Sequence, residues 1–520
     1  MFHLIASFYP IAFAVSLLAL FGWTYFQDRE FNDRGLSKVF AGGLIAYLVT
    51  VFFADATFGF KLGVLFRDLL VMGAVSFLFK AFLHKREVFV IGTVLIGAGM
   101  LWFFNAKVRP TFQEKEQKEH PGHKMISGLT LDANGELLME LKEKASLDQL
   151  RDELQQYGLT VERAFYPENA DQTNLDNYYV VNVPDNKVSQ LDNIEQALYK
   201  SGAVVWVEEN EVITIDPNPA VSPVPPINNK FGINDPGLSQ LWGFEAMGVD
   251  KLYNYLSANK IKPQRKALIA ILDTGVDGTH EDLKANFKST KSQYDNDPVG
   301  HGTHCAGIAA AVSNNGVGVA SFSTDNSYVE VTSIKVLNAM GSGTQQSIIK
   351  GMVEAGDRKA DVVSMSLGGF SDRFKVKAYT DAVNYIAKSG GIVVAAAGNS
   401  NRNAKDYSPV NTPGVIGVSA IDQDLNRAIF SNYVSDIKMG VAAPGVGIYS
   451  TIPNNKYNTF NGTSMATPYV AGLLGLMKSI QPDLTAQQAY DILNKTGKST
   501  KATEQTGKLI QPFEVLKGLQ

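Results

Sequence analysis

Four residues of this 520-residue chain have side chains and settings suited to acyl chemistry: Ser464, Asp273, His301 and Asn399. Ser464 lies in TFNGTSMATPYVAGLLGLM (Thr459–Met477), where small polar residues give way to an apolar helical pattern through Val470, Leu473, Leu474 and Met477. A serine at the mouth of a helix ordinarily caps free backbone N–H groups. Held rigid at the start of a hydrophobic helix and aimed into a cleft, it can instead be a nucleophile. The stretch alone leaves both open, and capping is the commoner case.

Asp273 directly follows the apolar run ALIAIL. An acid at the end of a buried strand is partly desolvated and needs donors or a cationic partner, although a turn or helix-capping aspartate looks the same. Nearby Asp277 and Asp282 read as turn residues or ion ligands. His301, in GHGTHCAGIAAA (Gly300–Ala311), follows a glycine at the start of an apolar helix, where its ring can project over a sheet edge. A lone histidine there is most often structural, and His304, one turn on, reads that way. Cys305 is the only cysteine, so there is no intrachain disulfide framework. It has no cation nearby except the histidines, which favours a buried thiol over a nucleophile. Asn399 follows a strand-like run and a glycine. It can mark a turn, or its amide N–H can bind a developing oxyanion, a contact worth ~2.7–4 kcal/mol in a transition state.

Singly these signals are weak; together they supply an acid, a base, an amide donor and a nucleophile in the order Asp…His…Ser, one of the known orders of the serine triad. In that arrangement Ser464 attacks a carbonyl and His301 takes and returns the proton. Asp273 fixes the imidazole tautomer, and the Asn399 amide with the Ser464 backbone N–H binds the oxyanion.

The elements that must position these groups form an alternating pattern from about Phe231 onward. Continuous apolar runs at Ala267–Leu272, Val329–Lys335, Val362–Ser366, Ile392–Ala397 and Val415–Ala420 read as strands buried on both faces. Helical stretches lie between them, at His304–Val312, Ser347–Ala355 and Val376–Lys388. This is an α/β doubly wound parallel sheet, whose ligands sit beyond the carboxyl ends of the strands.

The blocks DTGVDGTHEDL, GHGTHCAG, SMSLGG, AAAGNS and NGTSMATPYVAG, in this order, resemble the signature blocks of the subtilisin-like serine proteases (subtilases, peptidase S8) and span roughly 231–520. The resemblance implies a serine endopeptidase with Asp273, His301 and Ser464 as triad and Asn399 in the oxyanion hole. It implies a substrate groove as well. Ser366, Leu367 and Gly368 would form one edge, Gly341, Ser342 and Gly343 the other, and Ala396, Ala397 and Gly398 the remaining wall of the first specificity pocket. Binding by strand addition makes sequence preference broad, and the small residues around the pocket favour an apolar or aromatic side chain before the cut. Asp282 matches a ligand of the family's structural calcium site, although the loop Ser313–Gly318 looks shorter than in subtilisin itself. The chemistry needs no cofactor. Cys305 resembles the buried free thiol of the proteinase K branch.

Upstream, residues 124–216 read as a compact module of β-α-β-β-α-β order, a ferredoxin-like α+β arrangement. Its expected elements are strands at Leu137–Leu141, Val161–Tyr166 and Tyr178–Val183, helices at Ala145–Tyr157 and Val188–Ser201, and closing strands at Ala203–Val207 and Glu211–Ile215. Beside a subtilase domain it resembles the inhibitor-type propeptide, an intramolecular partner that lays its C-terminal tail in the active cleft. The mature start would then fall just after Asp216, giving the poor pair Asp216-Pro217. Cleavage therefore falls elsewhere in the proline-rich tether 217–230, which cannot form a helix or central strand, or does not occur.

The first 105 residues read as a membrane anchor of about four helices, with apolar blocks at His3–Phe26, Val39–Phe60, Leu62–Leu83 and Val88–Phe104, each near the ~20 residues that cross a bilayer. No Lys or Arg precedes Arg29, unlike a signal peptide. Basic residues concentrate in the first and third loops, which places those loops inside and everything after residue 105, including the 106–123 linker, outside the cytoplasm. A net charge of −4 gives no hint of a nucleic-acid partner. The expected protein is a membrane-anchored serine endopeptidase acting on polypeptides and autoprocessed near the tether. The alternative is a membrane-tethered sensor or binding protein whose protease-like domain stays inhibited by the fused module.

Overall fold

The computed structural model describes Ser16, Ala19 and residues 34–52, 123–126, 129–215, 231–371 and 376–519. The chain divides into two units, Met1–Pro121 and Gly122–Gln520. In the first, a helix at Arg34–Phe52 covers part of the second apolar block. The third and fourth blocks, most of the first, the linker up to residue 122 and the tether 217–230 lie outside the described residues. Among the described residues no helix is long and apolar enough to cross a membrane.

The second unit opens with a hairpin of β1 (His123–Ile126) and β2 (Leu129–Asp132). An antiparallel sheet follows, built from β3 (Leu137–Leu141), β4 (Thr160–Arg163), β5 (Tyr178–Asn182) and β6 (Val204–Glu209) in the order β4-β5-β3-β6. Strand alternation explains why every residue of β3 is buried. Leu137 and Met139 join Val181 and Val207 under the module's own helices, Arg151–Tyr157 and Leu191–Lys200. Leu138, with Tyr178 and Val180, faces the other way into a core shared with the larger domain. Each expected helix begins instead as a 3-10 turn, at Leu147–Leu150 and Asp185–Gln190. The strand expected to reach Tyr166 ends at Arg163, and Tyr166 is exposed.

One expectation is corrected outright. β7 (Val212–Thr214) does not close the module's sheet. It leaves that sheet and pairs antiparallel with β10 (Ser342–Thr344) of the larger domain, opposing Thr214 to Ser342 and Val212 to Thr344. A buried carboxylate helps seat the module: Glu208 accepts from Gln345 Nε2 at 2.7 Å and from the backbone N–H groups of Lys377 and Ala378 at 3.1 and 3.3 Å. It thereby satisfies free donors at the start of the Lys377–Lys388 helix.

The larger domain is built on seven parallel strands: β8 (Ala267–Asp273), β9 (Val329–Lys335), β11 (Val362–Met365), β13 (Ile392–Ala396), β15 (Val415–Ile421), β16 (Gly440–Pro444) and β19 (Lys508–Leu509). Their order is β19-β16-β15-β13-β11-β8-β9. Alternate residues serve opposite faces. Ile269, Ile271, Val331 and Val394 pack against the helices His301–Ala310 and Thr463–Ile480. Leu268, Ala270, Val363 and Val393 pack against Gln345–Asp357 and Lys377–Lys388. Two small ladders complete the domain, β12 (Gly369–Phe370) with β14 (Tyr407–Ser408) and β17 (Ile448–Ile452) with β18 (Lys456–Phe460). Sequence reading missed β16 and β19, because GVAAP and KL carry no β-branched or aromatic run.

Candidate active site

β8 ends on Asp273, and the helix His301–Ala310 starts on His301, so the two side chains meet at the carboxyl edge of the sheet. His301 Nδ1 lies 2.8 and 2.9 Å from the two Asp273 carboxylate oxygens. The histidine is 4 % exposed and the aspartate 0 %. Burial works against an imidazolium here, but the charge and hydrogen bond of Asp273, helped by Asp297, outweigh it and raise the His301 pKa above its ordinary 6.5. With its Nδ1 proton directed at Asp273, the neutral ring keeps an Nε2 lone pair for a substrate proton. Ligand atoms of Asp273, His301 and Cys305 lie within 4.8 Å of one another. Nδ1 is committed to Asp273, however, and burial pushes the Cys305 thiol well above its usual range, so the group is an acid–base pair beside an inert thiol.

Ser464 is the second residue of its helix. Its expected role as helix cap is therefore corrected: Gly462 takes that position, with φ +148°, a backbone conformation that disfavours any side chain. The Ser464 hydroxyl donates to the Ser366 carbonyl at 3.0 Å, the Ser366 hydroxyl donates to the Ser464 carbonyl at 2.7 Å, and Cys305 Sγ lies 3.5 Å from that same carbonyl. The Asn399 amide is oriented by Thr463, whose backbone N–H and hydroxyl both donate to Oδ1 at 2.9 Å. A backbone N–H can only donate, so Oδ1 must face it and Nδ2 is turned outward as a donor.

Residues 264–510 match the family model described as the subtilase family, Peptidase_S8. The chain is 44% identical over 218 residues to thermitase of Thermoactinomyces vulgaris, covering 41% of this chain and 75% of thermitase. It is 41% identical over 252 residues to subtilisin DY of Bacillus licheniformis, covering 46% and 88% of the two chains. A solved structure of proteases from Pseudoalteromonas arctica PAMC 21717 is similar at 29% identity and a TM-score of 0.49, over 55% of this chain and 99% of that one. The chain belongs to the subtilase family. It is a subtilisin-type serine endopeptidase.

In this subtilase β7 lies along Gly341, Ser342 and Gly343. Ile215 N–H donates to the Gly341 carbonyl at 2.9 Å, and a Cβ on Gly341 would come within 2.6 Å of Ile215 Cγ1, so the glycine makes room for the strand. Ile213 is 1 % exposed, next to Gly369 and in one apolar cluster with Leu337, Ile348 and Leu367. Ser366, Leu367 and Gly368 continue from the end of β11 beside Ser464. Ala396, Ala397 and Gly398 continue from β13 into Asn399, steadied by Asn432 Nδ2 donating to the Ala397 carbonyl at 2.8 Å.

The remaining candidates fall outside the reaction centre. His304 stacks on Phe460 at 4.3 Å, and burial lowers its pKa to about 3, which makes it a neutral packing residue. Asp277 closes a turn with Thr279 and accepts from Asn454 N–H. Asp282 is fully buried, accepts from Val319 N–H and Asn315 Nδ2 at 2.8 Å each, and is pushed up to about 7 by burial, with Asp235 and Glu281 adding negative charge.

Sequence reasoning missed Thr463, Thr274 and Asp297. The first two were visible only as neighbours of Ser464 and Asp273, and nothing in the spacing of Asp297 marked its partners.

Proposed function

We propose that this subtilase hydrolyses polypeptides with Ser464 as nucleophile, His301 as general base and acid, Asp273 as the group that orients and stabilises the imidazolium, and Asn399 as oxyanion donor. The two-oxygen contact of Asp273 with His301 Nδ1, at 2.8 and 2.9 Å in a buried site, carries the reading. Ser464 Oγ turns from Ser366 toward His301, gives up its proton to Nε2 and attacks the carbonyl. The tetrahedral oxyanion accepts from Asn399 Nδ2 and Ser464 N–H, and His301 returns the proton to the departing amine. Water repeats the sequence on the acyl-enzyme. A fluorophosphonate probe tests this reading: Ser464 takes up the label in the wild type, and labelling that persists in Ser464→Ala refutes it.

On this reading residues 124–216 are an inhibitor-type propeptide. Support comes from β7, which occupies the groove edge at Ser342–Thr344 as a substrate strand would. The first 105 residues anchor the protein in a membrane through about four helices and leave the catalytic domain extracytoplasmic; their apolar blocks and basic loops support this. Autoprocessing near the tether would release the domain. The same β7 pairing favours a second reading, an inhibited membrane sensor, if the tether is never cut. N-terminal sequencing of wild type beside Ser464→Ala separates the two.

Calcium is a structural candidate and takes no part in the chemistry. Asp282 and Asp235 are buried carboxylates that both accept from Asn315, and oxygen donors suit that ion. Calcium then raises the thermal midpoint of the wild type and leaves Asp282→Asn unmoved; equal behaviour of the two removes Asp282 from the site.

A further inference from the structure

Asp297 is a buried carboxylate, 5 % exposed, with more partners than any helix cap requires. One oxygen accepts from Val299 N–H at 3.1 Å, Gly300 N–H at 2.9 Å and the Thr274 hydroxyl at 2.8 Å. The other accepts from the N–H and the hydroxyl of Thr303, each at 2.8 Å. Val299, Gly300 and Thr303 bracket His301 at the start of its helix. Thr274 is the residue after Asp273, whose carboxylate accepts from Thr274 N–H at 2.7 Å.

The Thr274 hydroxyl closes the connection. It accepts from Gly302 N–H at 3.1 Å and donates to Asp297. The residue after β8 is thus tied to the first turn of the helix by its own hydroxyl and by the Asp297 carboxylate from the loop before that helix. The Asp297 bonds are charge-assisted and nearly all are buried, and the Thr274 hydroxyl links them into a chain, the setting in which hydrogen bonds hold geometry most firmly.

We propose that Asp297 is a positioning residue of the reaction. It holds Asp273 and His301 in register through Thr274 and the His301 helix start, and its charge supports the imidazolium formed during catalysis. The inference rests on His301 being the general base.

Among the described residues, the titratable groups facing His301 besides Asp297 are Asp273 from β8 and, on its own helix, His304 and Cys305. His304 is neutral down to about pH 3, and Cys305 holds its proton well above the ordinary thiol range. Asp273 and Asp297 are therefore the charges that act on the ring. Removing one lowers its proton affinity, because an anion near an imidazolium favours the charged form.

Two variants separate the roles. Asp297→Asn keeps the shape but removes the charge and sets an amide against Thr303 N–H. The expected result is a fall in kcat of about tenfold or more with little change in KM, and an acid limb of kcat/KM displaced to lower pH by roughly half a unit. Thr274→Val leaves the Asp297 contacts to the helix intact but breaks the tie to β8. It is expected to lower kcat about fivefold without displacing the limb, and Thr274→Ser restores it. The proposal is overturned if Asp297→Asn loses activity only in proportion to its folded fraction with the limb unmoved, or if both variants keep wild-type kcat. A wild type with no acid limb and no fluorophosphonate labelling would instead sink the underlying role of His301.

Discussion

The hydroxyl of Ser464 donates to the carbonyl of Ser366 at 3.0 Å, and the hydroxyl of Ser366 donates back to the carbonyl of Ser464 at 2.7 Å. This reciprocal pair joins the start of the Thr463–Ile480 helix to the segment that follows β11. It also occupies the hydroxyl of Ser464, the proposed nucleophile. On the proposed mechanism, Ser464 must give up its hydrogen bond to the Ser366 carbonyl before its hydroxyl can pass a proton to His301.

Attack requires neutral His301, which sets the pH dependence. Its folded pKa is raised above 6.5, with burial opposing the shift and Asp273 and Asp297 driving it. Activity is therefore present above that raised pKa and is lost as pH falls through it. A kcat/KM profile should show an acid limb with its midpoint above 6.5; a midpoint below that value contradicts the assignment. Asp273→Asn should lower kcat by about 10⁴, because the wrong tautomer then faces the nucleophile.

Thr463 orients the amide of Asn399, the proposed oxyanion donor. Thr463→Val removes one of two bonds to Asn399 Oδ1 and leaves Gly398 N–H without the hydroxyl it donates to at 3.1 Å. The expected effect is a fall in kcat of roughly tenfold at unchanged KM, smaller than the ~10²–10³ for losing the amide itself in Asn399→Ala. Thr463→Ser should recover most of it. Steady-state kinetics on a peptide anilide decide the matter, and a change confined to KM would point to the groove.

The tail strand is tested at Ile213, buried beside Gly369. Ile213→Asp places an uncompensated carboxylate there, at a cost of about 3 kcal/mol or more, which is roughly a hundredfold in occupancy. Peptidase activity of the full-length protein should rise. Unchanged activity, with the tail already free in the wild type by limited proteolysis, would argue against inhibition by this strand.

Much of this site could be read from local sequence, for identifiable reasons. Asp273 and Asn399 announce themselves because each follows the end of an apolar strand run, and His301 because it opens an apolar helix; a parallel sheet brings such points to one edge. Thr463 and Asp297 act through contacts 64 and 6 residues away along the chain, and no periodicity encodes those. The alternation in Glu211–Ile215 identified a strand correctly but not its partner. Pairing depends on which sheet edge lies nearby, and here that edge belongs to β10 rather than to the module. Ser464 looked like a cap because the sequence does not reveal that Gly462 takes a conformation closed to other residues.

The most direct test is the rate at which the full-length wild type and Ser464→Ala release product from a denatured polypeptide, measured at a pH above the acid limb. Steady hydrolysis is expected of the wild type, and its loss in Ser464→Ala by about 10⁶-fold, to the limit of detection. Equal rates from the two proteins would contradict it.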